Sequence, residues 1–150
     1  MITKEIIEDL VNQQLAGTDR FLVDISVQPG NKIFVYIDSE RNINVTDCLE
    51  LNRSIETVLD RDTEDFDLTV SSYGIDRPLR NYRQYLKNVG REMEIIQQDG
   101  TKLAGVLVKA DQEKIEIEHP VKKKKEIQKP NSVIDLINIK TGKIILKFGK

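Results

Sequence analysis

Two places in this 150-residue chain combine residue types whose spacing suits molecular recognition. The first is Val70-Ser71-Ser72-Tyr73-Gly74-Ile75-Asp76-Arg77-Pro78-Leu79. Gly74 supplies the positive φ that a sharp turn can need, and Pro78 holds Arg77 extended. Ser72, Gly74, Asp76 and Arg77 are therefore candidate partner-binding positions. They put a carboxylate and a planar guanidinium fork, suited to carboxylate or phosphate, on restricted backbone. Asp76 and Arg77 could equally hold the turn by hydrogen bonds to its own backbone. The second place is Lys122, Lys123, Lys124 and Lys125, with Lys129 beyond them. Such a run can neutralise nucleic-acid phosphates, each contact adding salt-sensitive affinity. With no aromatic residues interleaved for base stacking, it also reads as a solvated hairpin loop.

The remaining reactive residue types point away from catalysis. His119, the only histidine, stands beside Pro120 with no partner in sequence for metal or acid–base chemistry. Cys48, the only cysteine, excludes an intrachain disulfide and falls on the apolar stripe of a predicted helix, where it reads as a small core residue. Asp62, Glu64, Asp65 and Asp67 cluster without the spacing of a calcium loop. There is no P-loop, nucleophile elbow or His/Cys cluster with metal-ligand spacing. The expectation is a non-catalytic protein without metal or cofactor.

The elements that position these residues follow from apolar periodicity. Thr3 is placed to cap a helix whose stripe is Ile6, Ile7, Leu10, Val11 and Leu15, closed by Gly17. Phe21, Val23, Ile25 and Val27 alternate as a strand, and Gln28-Pro29-Gly30-Asn31 suits a type II turn. Ile33, Val35 and Ile37 form the return strand. Thr46 is expected to cap a second helix carrying Cys48, Leu51, Ile55, Val58 and Leu59. Phe66, Leu68 and Val70 alternate as a third strand. Asn81 opens a third helix with Tyr82, Tyr85, Leu86 and Val89 on one face. The order α-β-β-α-β-α predicts a two-layer α/β sandwich.

From Gly90 onward only strand signals occur. Met93 and Ile95 alternate, Asp99-Gly100 makes a hairpin turn, and Gly105 is placed for a bulge or bend. Ile115 and Ile117 mark a further strand. Val133–Ile139 and Ile144–Phe148 are two more candidates, separated by Thr141-Gly142-Lys143. Short strands with tight turns predict a small β-barrel. The overall class is α+β, with an α/β domain over residues 1–88 and a barrel domain over residues 89–150.

Composition bounds function further. With 39% hydrophobic and 32% charged residues, the chain suits a globular protein, and no apolar run approaches the roughly 20 residues of a membrane span. The first residues lack a signal-peptide core, so a cytoplasmic location is expected. The net charge of −2 conceals a polarity. Residues 1–90 carry 10 Lys+Arg against 16 Asp+Glu, and residues 91–150 carry 13 against 9. This excludes a uniformly basic nucleic-acid binder and leaves open a chain that meets basic protein with one half and RNA with the other.

The segment Val70–Leu79 resembles the signature of the bacterial ribosome maturation factor RimP family, V-S-S-P-G-[LI]-D-R-P-L, with Tyr73 where proline is usual. The Phe21–Asp38 hairpin, the helix start at Thr46-Asp47-Cys48, and Gly90-Arg91-Glu92 at the second domain are similar to the family as well. The resemblance implies an α/β domain followed by an SH3-like or Sm-like barrel. It also implies a non-enzymatic protein that binds the immature 30S small subunit and assists its assembly; a monomer is expected. The implied partners are the small-subunit protein S-twelve and 16S rRNA. A general RNA-binding module with KH-like and Sm-like parts is the alternative, although the chain has no G-x-x-G loop of the KH kind.

Overall fold

The computed structural model describes residues 1–120, 127 and 129–146. These form two compact units, Met1–Gly74 and Ile75–Lys150, each with its own core.

In the first unit, α1 (Lys4–Leu15) begins where the Thr3 hydroxyl accepts from the Ile6 amide at 3.3 Å and ends before Gly17, at φ +77°. Its buried face is Ile7, Val11 and Leu15, whereas Ile6 is exposed. β1 (Arg20–Gln28) and β2 (Lys32–Ser39) pair antiparallel. After α2 (Val45–Val58), β3 (Asp67–Ser72) returns parallel to β2, so the sheet order is β1-β2-β3. Both helices pack on one face of this sheet, around Ile25, Ile33, Val35, Ile37, Leu51, Ile55 and Phe66.

Strict alternation fails in β1. A bulge between Leu22 and Asp24 shifts the register, setting Leu22 opposite Ile37 and Ile25 opposite Val35. Leu22 therefore joins the core face, and Phe21, opposite Asp38, is buried on the other. An extra residue in one strand reverses the alternation across it. The cap of α2 also differs from expectation. It is Asn44, not Thr46: the Asn44 side chain accepts from the Asp47 amide at 2.9 Å, and the Asp47 carboxylate accepts from the Asn44 amide at 3.0 Å. This reciprocal box satisfies two amides, which Thr46 could not do from inside the helix.

In the second unit, the short α3 (Tyr82–Lys87) is followed by β4 (Glu92–Gln97), β5 (Lys102–Ala110), β6 (Lys114–Glu118), β7 (Ser132–Asp135), a 3-10 turn at Leu136–Asn138, and β8 (Ile139–Ile144). The sheet is antiparallel, in the order β7-β6-β5-β4-β8. The sequence predicts a small β-barrel here. Among the described residues β7 and β8 are the two edges of an open sheet. The expected single strand Val133–Ile139 is broken by the 3-10 turn, and Thr141-Gly142-Lys143, expected as a separator, lies inside β8.

Both glycines of this sheet are explained by close approach rather than by turning. A Cβ at Gly142 would strike the Tyr85 hydroxyl and come within 3.2 Å of Ile95 Cδ1. One at Gly105 would strike the Glu118 carbonyl oxygen and lie 2.6 Å from Ile117 Cγ2. The bulge expected near Gly105 occurs farther along β5, between Leu107 and Lys109.

The segment before Gly90 belongs to this second unit. Leu79 and Tyr85 are buried with Met93, Ile95, Leu107, Ile115 and Ile117. The Leu79 amide donates to the Gly142 carbonyl at 2.7 Å. The contact division thus falls at Gly74/Ile75, whereas the change of sequence rhythm falls near Lys87–Gly90. Charge separates more sharply at the contact division. Residues 1–74 carry 6 Lys+Arg against 15 Asp+Glu, a net of −9, and residues 75–150 carry 17 against 10, a net of +7.

Candidate interaction site

The partner-binding candidates are distributed over both units. Ser72 is the exposed last residue of β3, and Gly74, at φ +90°, closes the first unit. Asp76 and Arg77 lie exposed in the turn that begins the second. Among the lysines, Lys122, Lys123, Lys124 and Lys125 lie outside the described residues, and Lys129 is exposed.

Tyr73, between Ser72 and Gly74, is buried. Its amide donates to the Ile37 carbonyl at 3.0 Å, extending the β2–β3 ladder by one bond that a proline could not make. Its ring meets Tyr36 edge-on, with centroids 6.4 Å apart. The residue that departs from the usual signature is thus integrated into the sheet, so the turn begins after it, at Gly74.

On the other side of the turn, buried polar groups hold the backbone. The Gln84 side-chain oxygen accepts from the amides of Arg80 at 2.7 Å and Asn81 at 3.0 Å. The Asn81 side chain caps α3 by accepting from the Arg83 amide at 2.9 Å. The Asn88 amide group donates to the Gln84 carbonyl at 2.7 Å. Gln84 and Asn88 are each nearly inaccessible, so their polar atoms must be satisfied internally. The helical stripe predicted from Tyr82, Tyr85, Leu86 and Val89 is replaced by a buried face of Gln84, Tyr85 and Asn88, with Leu86 and Val89 exposed. Apolar periodicity alone misses it because two of its members are amides.

The other reactive residues have structural surroundings. His119 lies within hydrogen-bond distance of the Ala104 carbonyl (3.1 Å from Nδ1) and the Ser132 hydroxyl (2.7 Å from Nε2), linking β5 and β7. Cys48 packs against the first core, and burial, followed by the neighbouring Asp47 charge, pushes its thiol up. That is the opposite of an activated nucleophile. In the acidic cluster, Asn31 donates to Glu64 at 3.0 Å, while Arg61 reaches Asp65 at 2.9 Å and lies 4.0 Å over the Phe66 ring. Among the described residues no three His, Cys, Asp or Glu side chains are placed to hold a metal ion. No described helix is long and apolar enough to cross a membrane.

An acidic α/β unit followed by a basic antiparallel β unit defines a two-unit α+β protein with segregated charge. The family described as the RimP N-terminal domain matches residues 6–76, a span ending two residues beyond the first unit. A ribosome maturation factor RimP from Porphyromonas gingivalis is 36% identical over 118 residues, covering 79% of this chain and 78% of the relative. The factor of the same name from Flavobacterium psychrophilum is 36% identical over 135 residues, covering 89% and 87%. That from Christiangramia forsetii is 33% identical over 127 residues, covering 84% and 82%. The chain belongs to the ribosome maturation factor RimP family, a family of maturation factors rather than catalytic enzymes.

Proposed function

We propose that this protein acts in the cytoplasm, as a monomer, by binding the precursor of the small ribosomal subunit without catalysing a reaction. The observation that carries this reading is the charge polarity, −9 over residues 1–74 and +7 over residues 75–150, in a chain of the RimP family. The acidic unit suits a basic ribosomal protein, with S-twelve the partner the family resemblance implies. The basic unit, the family's SH3-like module in this reading, suits 16S rRNA. Charge complementarity raises association rate and suppresses wrong partners more than it adds affinity. An assembly factor must also bind the precursor more tightly than the finished particle, since only differential affinity makes it leave.

Ser72, Gly74, Asp76 and Arg77 are the positions proposed to touch the partner, and Lys122, Lys123, Lys124, Lys125 and Lys129 are proposed phosphate contacts. The alternative, a general RNA-binding module, fits less well because a unit of net charge −9 repels bare RNA.

Co-sedimentation with precursor and mature small subunits tests the proposal. The full chain should travel with the precursor and not with the mature particle; equal binding to both, or to neither, overturns it. Arg77→Ala should weaken precursor binding by about 1–3 kcal/mol if its contact is charge-assisted. The same variant should shift stability by no more than about 0.5 kcal/mol, as expected for an exposed side chain. Full binding together with a large loss of stability would make Arg77 a structural residue.

A further inference from the structure

From Arg77 to Arg91 the chain carries five cations, Arg77, Arg80, Arg83, Lys87 and Arg91, and no Asp or Glu. The flanking acids are Asp76 and Glu92. All five cations lie in the second unit, whereas the change of sequence rhythm would place only Arg91 there. Arg77, Arg80 and Arg91 are exposed, and Arg83 and Lys87, one helical turn apart on α3, are half-buried.

The backbone under this row is fixed from inside. Leu79, Gln84, Tyr85 and Asn88 are the buried residues of the segment. Gln84 holds the amides of Arg80 and Asn81, and Asn88 holds the carbonyl of Gln84. At the far end the Gly90 amide donates to the Leu107 carbonyl at 2.7 Å, and the Arg91 carbonyl accepts from the Leu107 amide at 3.0 Å. The buried amides Gln84 and Asn88 hold the backbone from inside, and each charged side chain of the segment is cationic and at least partly accessible. Fixing the backbone before binding lowers the ordering cost at an interface.

We infer that the Arg77–Arg91 row is an RNA-phosphate-binding surface, built on α3 and its flanks and distinct in sequence from the lysine run at 122–125. Four of the five cations are arginines, whose flat fork matches phosphate oxygens in pairs and is weakly hydrated. This inference rests on the functional reading above, which supplies ribosomal RNA as the polyanion.

The test uses the full chain and a transcript of small-subunit rRNA, with affinity measured from about 50 to about 200 mM salt. The triple variant Arg80→Gln, Arg83→Gln, Arg91→Gln should bind about tenfold or more weakly at low salt. The slope of log affinity against log salt should flatten by about 2 to 3, since each neutralised phosphate contributes roughly 0.7–0.9. Replacing the same three residues by lysine should retain most of the slope, which separates loss of charge from loss of fold. An unchanged slope in the glutamine variant overturns the inference. So does wild-type protein that binds polyglutamate as tightly as the transcript, which would indicate an acidic protein partner. If wild type co-sediments with the precursor and the triple variant keeps its slope, the inference alone fails. If wild type ignores the precursor while the triple variant loses its slope, the functional reading fails and the RNA surface stands.

Discussion

At the scale of single residues, Tyr73 shows how a chain can leave a family signature and keep the local structure. The hydrogen bond its amide donates to the Ile37 carbonyl and its edge contact with Tyr36 are both unavailable to proline. Tyr73→Pro, although it restores the usual signature, should therefore destabilise the protein by about 3 kcal/mol, from the lost hydrogen bond, aromatic pair and buried ring. Thermal unfolding followed by circular dichroism checks this, and an unchanged midpoint would show that the usual turn is available to this chain. Tyr85 carries a pH signature. Burial pushes its phenol up to about 12, from an ordinary value of 10.0. A folded-state value above the unfolded one gives stability that is fully present below pH about 10 and is lost as pH rises toward about 12. Wild type should lose stability across that window in denaturant titrations, and Tyr85→Phe should lose less; parallel losses in the two proteins would contradict the assignment. The glycines illustrate what sequence leaves ambiguous. Gly74 and Gly100 are legible as turns, and both have positive φ. Gly105 and Gly142 have the same letter for another reason, close approach by a different strand or helix, which becomes visible only once the partner is placed.

At the scale of elements, Asp47 ties two of them together. One carboxylate oxygen completes the α2 capping box, and the other receives Arg20 Nη1 from β1 at 3.0 Å, with both side chains about four-fifths buried. Asp47→Ala should cost about 1–2 kcal/mol, combining a lost cap interaction of about 1 kcal/mol with the lost ion pair to Arg20. Asp47→Asn should retain part of the cap. If urea unfolding shows equal stability for wild type and the alanine variant, the cap carries no energy. The strands and helices that proved legible are those in which one apolar face repeats without interruption, as in β2 with Ile33, Val35 and Ile37. Legibility failed where an extra residue reversed the faces at β1, and where Asn44 and Thr46 compete as caps two positions apart. It failed again where Leu136–Asn138 breaks an apolar run into two strands. Each of these depends on backbone geometry that apolar spacing does not encode. The candidate site was legible to the same extent. Its turn follows from Gly74 and Pro78, whereas the fixed segment beyond it depends on buried amides at Gln84 and Asn88 that read as surface residues.

At the scale of the whole molecule, the sequence rhythm and the packing divide the chain at different places. The rhythm changes at Gly90 because the last helix pattern ends there. The packing divides at Gly74/Ile75 because Leu79 and Tyr85 complete the second core, and because Leu79 hydrogen-bonds to Gly142 of β8. Moving the boundary transfers Arg77, Arg80, Arg83 and Lys87, with Asp76, from the acidic part to the basic one, and this steepens the charge polarity. The two divisions make different predictions for fragments. A fragment of residues 75–150 retains every buried member of the second core and should give a dispersed amide NMR spectrum. A fragment of residues 89–150 lacks Leu79 and Tyr85, leaving Ile95 and Gly142 without the tyrosine beside them. Losing two buried apolar side chains costs several kcal/mol, comparable to the roughly 5–15 kcal/mol by which whole domains are stable. The shorter fragment should therefore show a collapsed spectrum and no cooperative thermal transition. If residues 89–150 instead fold as well as residues 75–150, α3 is an addition to a core already complete, and the division belongs at Gly90.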